Sequence, residues 1–65
     1  MTDDQTRRLA EFRHLFGTMP GPRHVDRIRQ VAAKAHVKEQ TVRIWTMRTP
    51  PSIPSERVLA LLRAA

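Results

Sequence analysis

Side chains that could bind the edges of nucleic-acid bases stand close together just after position 38. The amide of Gln40 can make two hydrogen bonds to adenine, the guanidinium of Arg43 can do the same with guanine, and the carboxylate of Glu39 can accept one from cytosine. An apolar side chain such as that of Ile44 can contact the methyl group of thymine. In a helix, one side is formed by Gln40, Arg43, Ile44 and Met47, with Lys38 and Glu39 at its leading end.

The other side of the same segment is apolar. Val42 and Trp45 are three residues apart, the spacing that lets two side chains pack together against a neighbouring element. The pattern therefore predicts a helix from Lys38 to Met47 with one buried and one exposed side. Trp45 could alternatively be a stacking platform for single-stranded nucleic acid, but its alignment with Val42 favours a place in the core.

A preceding helix is predicted from Pro22 to about Ala35. Its apolar residues recur at steps of three and four, and they are Val25, Ile28, Val31, Ala32 and Ala35. Pro22 can occupy the first turn, where its missing N–H has no helical partner. His36 follows in the turn, where a positive φ is needed, and histidine is among the non-glycine residues enriched at positive φ.

Two further helices complete the predicted fold. Thr2 and Gln5 have the spacing of a capping box, and an apolar stripe then runs to Gly17, comprising Leu9, Phe12, Leu15 and Phe16. Three prolines between positions 50 and 54 separate the third helix from a last one, which is expected to bury Val58, Leu61 and Leu62 and to leave Leu59 free as a candidate partner contact. Since no segment has the two-residue period of a strand, the predicted class is all-α: one domain over 1–65, a compact bundle of four to five short helices.

The charge balance points to a polyanionic partner. Twelve lysines and arginines stand against six acidic residues, and ten of the twelve are arginines, which make forked contacts to phosphate and guanine. A solvated basic surface that only keeps the protein in solution is the alternative interpretation. The absence of cysteine, the acidic N-terminus and the absence of an apolar run of roughly 20 residues indicate a cytoplasmic protein rather than a secreted or membrane-spanning one.

Several of these positions together resemble the helix-turn-helix of lambda repressor and Cro-like phage proteins. The residues that carry the resemblance are Val31, Ala32, Val37, Val42 and Trp45, followed by the run Ile53-Pro54-Ser55-Glu56-Arg57 that is similar to the lead into the last helix of short Cro-like regulators. The resemblance covers about 25–63. His36, Ile28 and Lys38 depart from the family, which usually has Gly, often Gln, and commonly Ser or Thr at these three positions.

The resemblance implies a transcriptional regulator, most simply a repressor, that reads double-stranded operator DNA as a homodimer near the nucleoid of a bacterial host. The expected base contacts are Glu39, Gln40, Arg43 and Ile44. The expected phosphate contacts are Arg23, Arg27, Lys38, Arg48 and Thr49, which would set register rather than sequence. Arg23 and Arg48 could equally be ordinary solvated charges.

Other classes of function find little support in the sequence. The three histidines occur without cysteine and without a pair at ligand spacing, so we expect no metal, no cofactor, no small-molecule substrate and no enzymatic activity. Two alternatives remain open: a phage-type protein-interaction module, such as an inhibitor or antitoxin on the same scaffold, and an RNA-binding helical domain.

Overall fold

The structure is a computed structural model that describes residues 2–64, and it contains four helices in that range. They are α1 (Asp3–Gly17), α2 (His24–Ala35), α3 (Glu39–Trp45) and α4 (Glu56–Arg63). No strand occurs within the described range. The all-α prediction is therefore confirmed, with four helices rather than five in this range.

The start of α1 is fixed by the predicted capping box. The Gln5 backbone N–H donates to the Thr2 hydroxyl at 3.2 Å, and the Thr2 backbone N–H donates to the Gln5 side-chain oxygen at 3.0 Å. These reciprocal bonds satisfy backbone donors that a helix leaves unpaired in its first turn. The helix ends with Gly17, as predicted.

Helix α2 begins later than predicted. Arg23 is its N-cap, with an extended backbone at φ −118° and ψ 153°, so the helix starts at His24 and Pro22 lies outside it. The segment Pro20-Gly21-Pro22 before this helix instead turns at Gly21, whose φ of 134° strongly disfavours residues with a Cβ. Since Arg23 has the extended backbone of an N-cap residue, Pro22 precedes the helix and does not occupy its first turn.

The connection between α2 and α3 consists of residues 36–38. His36 has φ 56° and ψ 43°, which confirms the prediction of a positive φ at this position. The backbone N–H of His36 and that of Val37 both donate to the carbonyl of Ala32, the latter at 3.1 Å. These two hydrogen bonds to the Ala32 carbonyl and the left-handed conformation of His36 end α2. The chain then turns toward α3 within three residues.

Helix α3 is shorter than the predicted 38–47. Lys38 is its N-cap, extended and without a side-chain capping bond, and the helix ends at Trp45. Beyond that point the Met47 backbone N–H donates to the Ile44 carbonyl at 3.2 Å, three residues back, and the Thr46 hydroxyl donates to the Arg43 carbonyl at 2.7 Å. These contacts tighten the last turn, so the α-helical pattern stops two residues early.

One core joins the four helices. Its most deeply buried side chains, each 1% exposed or less, are Phe12, Val31, Val42 and Leu59. The rings of Phe12 and Trp45 meet edge to face, with centroids 5.6 Å apart and an interplanar angle of 74°. This contact holds the end of α3 against α1.

The prediction for the buried side of α4 is partly wrong. Val58 and Leu62 are buried as expected, but Leu59 is 0% exposed and Leu61 is half-buried. Since α4 starts at Glu56 behind the capping hydroxyl of Ser55, its inward side is set at positions 58, 59 and 62. Leu59 is therefore a core residue and not an exposed partner contact.

Candidate nucleic-acid interface

The two sides of α3 differ as the sequence predicts. Val42 is 0% and Trp45 5% exposed, whereas Gln40 and Arg43 are exposed. Gln40 and Arg43 are three residues apart and are therefore neighbours on the helix surface. An amide and a guanidinium thus stand side by side in solvent, both able to make paired hydrogen bonds to a planar ligand.

Apolar side chains extend this exposed side toward the end of the helix. Ile44 is half-buried and packs against the core, so it presents less surface than the sequence suggests. Met47 is 50% exposed, and it is the single large hydrophobic residue in positions 2–64 that is exposed to this degree. Met47 was predicted to lie on the outward side of the helix but was not among the candidate contacts.

Glu39 is not an isolated charge. Its carboxylate lies 3.8 Å from the guanidinium of Arg29 on α2, and both side chains are more than half exposed. The pair is weak because solvent screens it. It nevertheless places a cation from α2 beside the first turn of α3. Nothing in the spacing of two residues on different helices could have indicated Arg29.

The segment after α3 carries exposed Arg48 and Thr49, and Lys38 is exposed at the other end of the helix. The guanidinium of Arg13 on α1 donates to the Arg48 carbonyl at 3.1 Å. Arg13 was not assigned a role from the sequence, and this bond ties α1 to the segment that follows α3. The backbone at Arg48 is thereby held, while its side chain stays exposed.

The two predicted phosphate contacts near the start of α2, Arg23 and Arg27, differ in their surroundings. Arg23 is paired with Asp26, with 3.3 Å between guanidinium and carboxylate. Arg27 is half-buried, and its Nε is buried with no hydrogen-bond partner among the atoms described. Arg27 thus has unused donor capacity, whereas Arg23 would share its charge with an acid.

Acidic residues are concentrated at the α1–α4 contact. Arg7 bonds to Glu56, Arg63 bonds to Glu11, and Asp4 holds the guanidinium of Arg8 at 3.0 Å. The hydrogen bond from the Arg63 guanidinium holds the pKa of Glu11 below its ordinary value. The pKa of Asp4 is likewise lowered, first by its hydrogen bond from Arg7.

Apart from Arg23 and Arg29, which pair with Asp26 and Glu39, the other cations of the described part of the chain have no such partners. Within the range that the structure describes, the basic residues with no carboxylate inside 4 Å are Arg13, Arg27, Lys34, Lys38, Arg43, Arg48 and Arg57. Four of the predicted contact residues are in this set. Excess positive charge is therefore carried by residues of α2, α3 and the segments beside them more than by the paired arginines of α1 and α4.

The clefts on the surface of residues 2–64 include two near these elements. One of about 130 Å³ is lined by Phe12, Arg13, Phe16, His24 and Thr46. The other, about 290 Å³, lies between the α2–α3 connection and α4.

In the described chain no group of three or more metal-binding side chains is close enough to hold an ion. None of the four helices has both the length and the apolar character needed to cross a bilayer.

Comparison of the chain with protein-family models, with curated proteins and with solved structures finds no match.

Proposed function

We propose that this protein is a sequence-specific regulator of transcription that binds double-stranded DNA and has no enzymatic activity. The observation that carries the proposal is the division of α3: Val42 and Trp45 are buried, and Gln40 and Arg43 are exposed on the opposite side. In a helix-turn-helix of the Cro-like type, the second helix enters the major groove with such an exposed side facing the bases.

The surroundings of α3 support the same function. Three residues, with a left-handed one at His36, separate α3 from α2, as short turns do in helix-turn-helix units. Lys38 and Arg48 flank α3 at its two ends and carry no acidic partner in residues 2–64. Cations in these positions would bind phosphates on either side of a helix lying in the groove.

In this proposal Gln40 and Arg43 contact base edges, with Glu39 and Ile44 as secondary contacts. Arg23, Arg27, Lys38, Arg48 and Thr49 contact the phosphate backbone. Two copies of the chain bind an operator with two-fold symmetry, with reading helices about 34 Å apart. The complex represses by occupying a promoter in the cytoplasm of a bacterial host.

The decisive experiment is selection from a random pool of duplex DNA, followed by affinity measurements on the selected sequence. Arg43→Ala should cost about 1–3 kcal/mol on the selected duplex, roughly 5- to 150-fold in affinity, and less on random DNA. Arg57→Ala removes an equally unpaired, exposed arginine from α4 and is the matched control. Equal losses on selected and random DNA would reduce Arg43 to a phosphate contact.

Salt dependence tests the partner class independently of sequence. If Arg23, Arg27, Lys38 and Arg48 each neutralise one phosphate, log affinity should fall with log salt at a slope of about −3.6 per protomer. A flat response, or a pool from which no duplex is enriched, would favour a protein partner and overturn the proposal. Preferential capture of structured RNA over duplex DNA would favour an RNA-binding domain instead.

A further inference from the structure

Met47 differs from the other large apolar side chains of the described chain because half of its surface meets solvent. A single exposed hydrophobic residue is ordinary by itself. Here, however, the neighbouring Ile44 is also partly exposed, and the Met47 backbone N–H donates to the Ile44 carbonyl at 3.2 Å. The two residues are thus one turn apart at the end of α3 and follow exposed Arg43 in the chain; their partly exposed apolar side chains are called the apolar strip.

The backbone that carries this strip is restrained on both sides of Met47. Thr46 donates through its backbone N–H to the carbonyls of Val42 and Arg43, both at 3.1 Å, and through its hydroxyl to the Arg43 carbonyl. On the other side, the Arg48 carbonyl accepts from Arg13 at 3.1 Å. Because the backbone is held, the position of the Met47 Cα relative to α3 is fixed, while its unbranched side chain can still adjust to a surface.

We infer that Met47, together with Ile44, recognises the 5-methyl group of a pyrimidine in the major groove. This inference rests on the proposed function. The 5-methyl group is the one apolar group that base pairs present in that groove, and it belongs to thymine in unmodified DNA. A methyl group that packs between two apolar side chains is removed from water, and the exposed part of the Met47 side chain is removed from water with it. The strip therefore contributes specificity for a methylated pyrimidine next to the base pair that Arg43 contacts.

The test removes single methyl groups from the DNA and leaves the base pairing unchanged. In the selected duplex, each thymine is exchanged in turn for uracil, which removes only the methyl group. We expect at least one position where the wild-type protein loses about fourfold in affinity, the effect of one methyl group. For Met47→Ala the thymine and uracil duplexes should bind equally at that position. Arg57→Ala, which removes an exposed side chain of α4 outside the proposed contacts, is the control and should keep the difference between thymine and uracil.

A second set of measurements asks whether the methyl group of 5-methylcytosine is recognised like that of thymine. At the same position, a cytosine duplex is compared with its 5-methylcytosine counterpart. The wild-type protein should bind the methylated form about fourfold better, and Met47→Ala should bind both equally. A gain for thymine over uracil with none for 5-methylcytosine over cytosine would overturn recognition of methylated pyrimidines in general. It would restrict the contact to the methyl group of thymine, because thymine and uracil carry the same O4 carbonyl.

The outcomes distinguish this inference from the function on which it rests. If the selected duplex binds equally well with thymine or uracil at every position, the inference is overturned and the DNA-binding function stands. If the preference for thymine persists in Met47→Ala and disappears in Ile44→Ala, the role assigned to Met47 is wrong. If no duplex binds with sequence preference, the proposed function fails and this inference fails with it. Circular dichroism of each variant verifies that the helices are intact.

Discussion

The left-handed residue between α2 and α3 allows a quantitative test of the backbone geometry. His36 lies at φ 56° and ψ 43°, where a residue with a Cβ costs about 1–2 kcal/mol relative to the right-handed region. Glycine removes that cost but loses more entropy on folding, by about 0.5–1 kcal/mol. Since the side chain of His36 is exposed, its removal sacrifices little packing. We expect His36→Gly to raise the free energy of unfolding by about 0.5–1 kcal/mol.

Urea denaturation followed by far-ultraviolet circular dichroism measures this difference. A gain of that size corresponds to a rise in Tm of about 2–8 °C in a domain of this length. His36→Ala is the control, because it removes the same imidazole but keeps a Cβ in the left-handed conformation. If the glycine variant is no more stable than the alanine variant, the reasoning from backbone conformation is refuted.

Two further predictions concern stability. Gly21→Ala should lower the free energy of unfolding by about 1–3 kcal/mol, because φ is 134° and the new Cβ would lie 2.7 Å from that of Asp26. Thermal unfolding measures this difference. Gly17→Ala is the control and should not destabilise the protein, because its new Cβ meets no atom within 4 Å. The pKa of Glu11 is lowered by its bond from Arg63, so the stability it contributes is present above its ordinary pKa of 4.5 and is lost as the pH falls through the lower folded-state value. Glu11→Gln should therefore be less stable than wild type at neutral pH and lose less stability on acidification, and identical pH profiles of urea unfolding would contradict this role.

Local patterns in the sequence were sufficient for most of the fold. The Thr2 capping box depends only on residues within one turn, and the burial of Val42 and Trp45 depends on a three-residue spacing within one helix. The positive φ of His36 was predictable because the chain must turn within three residues. Gln40 and Arg43 are exposed for the same reason that Val42 and Trp45 are buried, since they lie on the opposite side of α3.

Features that depend on contacts between distant segments could not be predicted in this way. Leu59 and Leu61 are equally apolar and are two residues apart, so only the docking angle of α4 decides which one enters the core. The bond from Arg13 to the Arg48 carbonyl spans 35 positions, and the pairing of Arg29 with Glu39 joins two helices. Such contacts follow from tertiary packing, which no periodicity within one helix encodes.

Because Trp45 packs edge to face against Phe12, it can serve as an intrinsic fluorescence probe of the contact between α3 and α1. Trp45 is the only tryptophan of the chain, it is 5% exposed, and it ends α3, the helix proposed to contact bases. Indole emission shifts to longer wavelength when water reaches the ring, so any departure of α3 from α1 is visible in unlabelled protein. Fluorescence of one side chain can thus distinguish a rigid α3 from one that rearranges when a ligand binds.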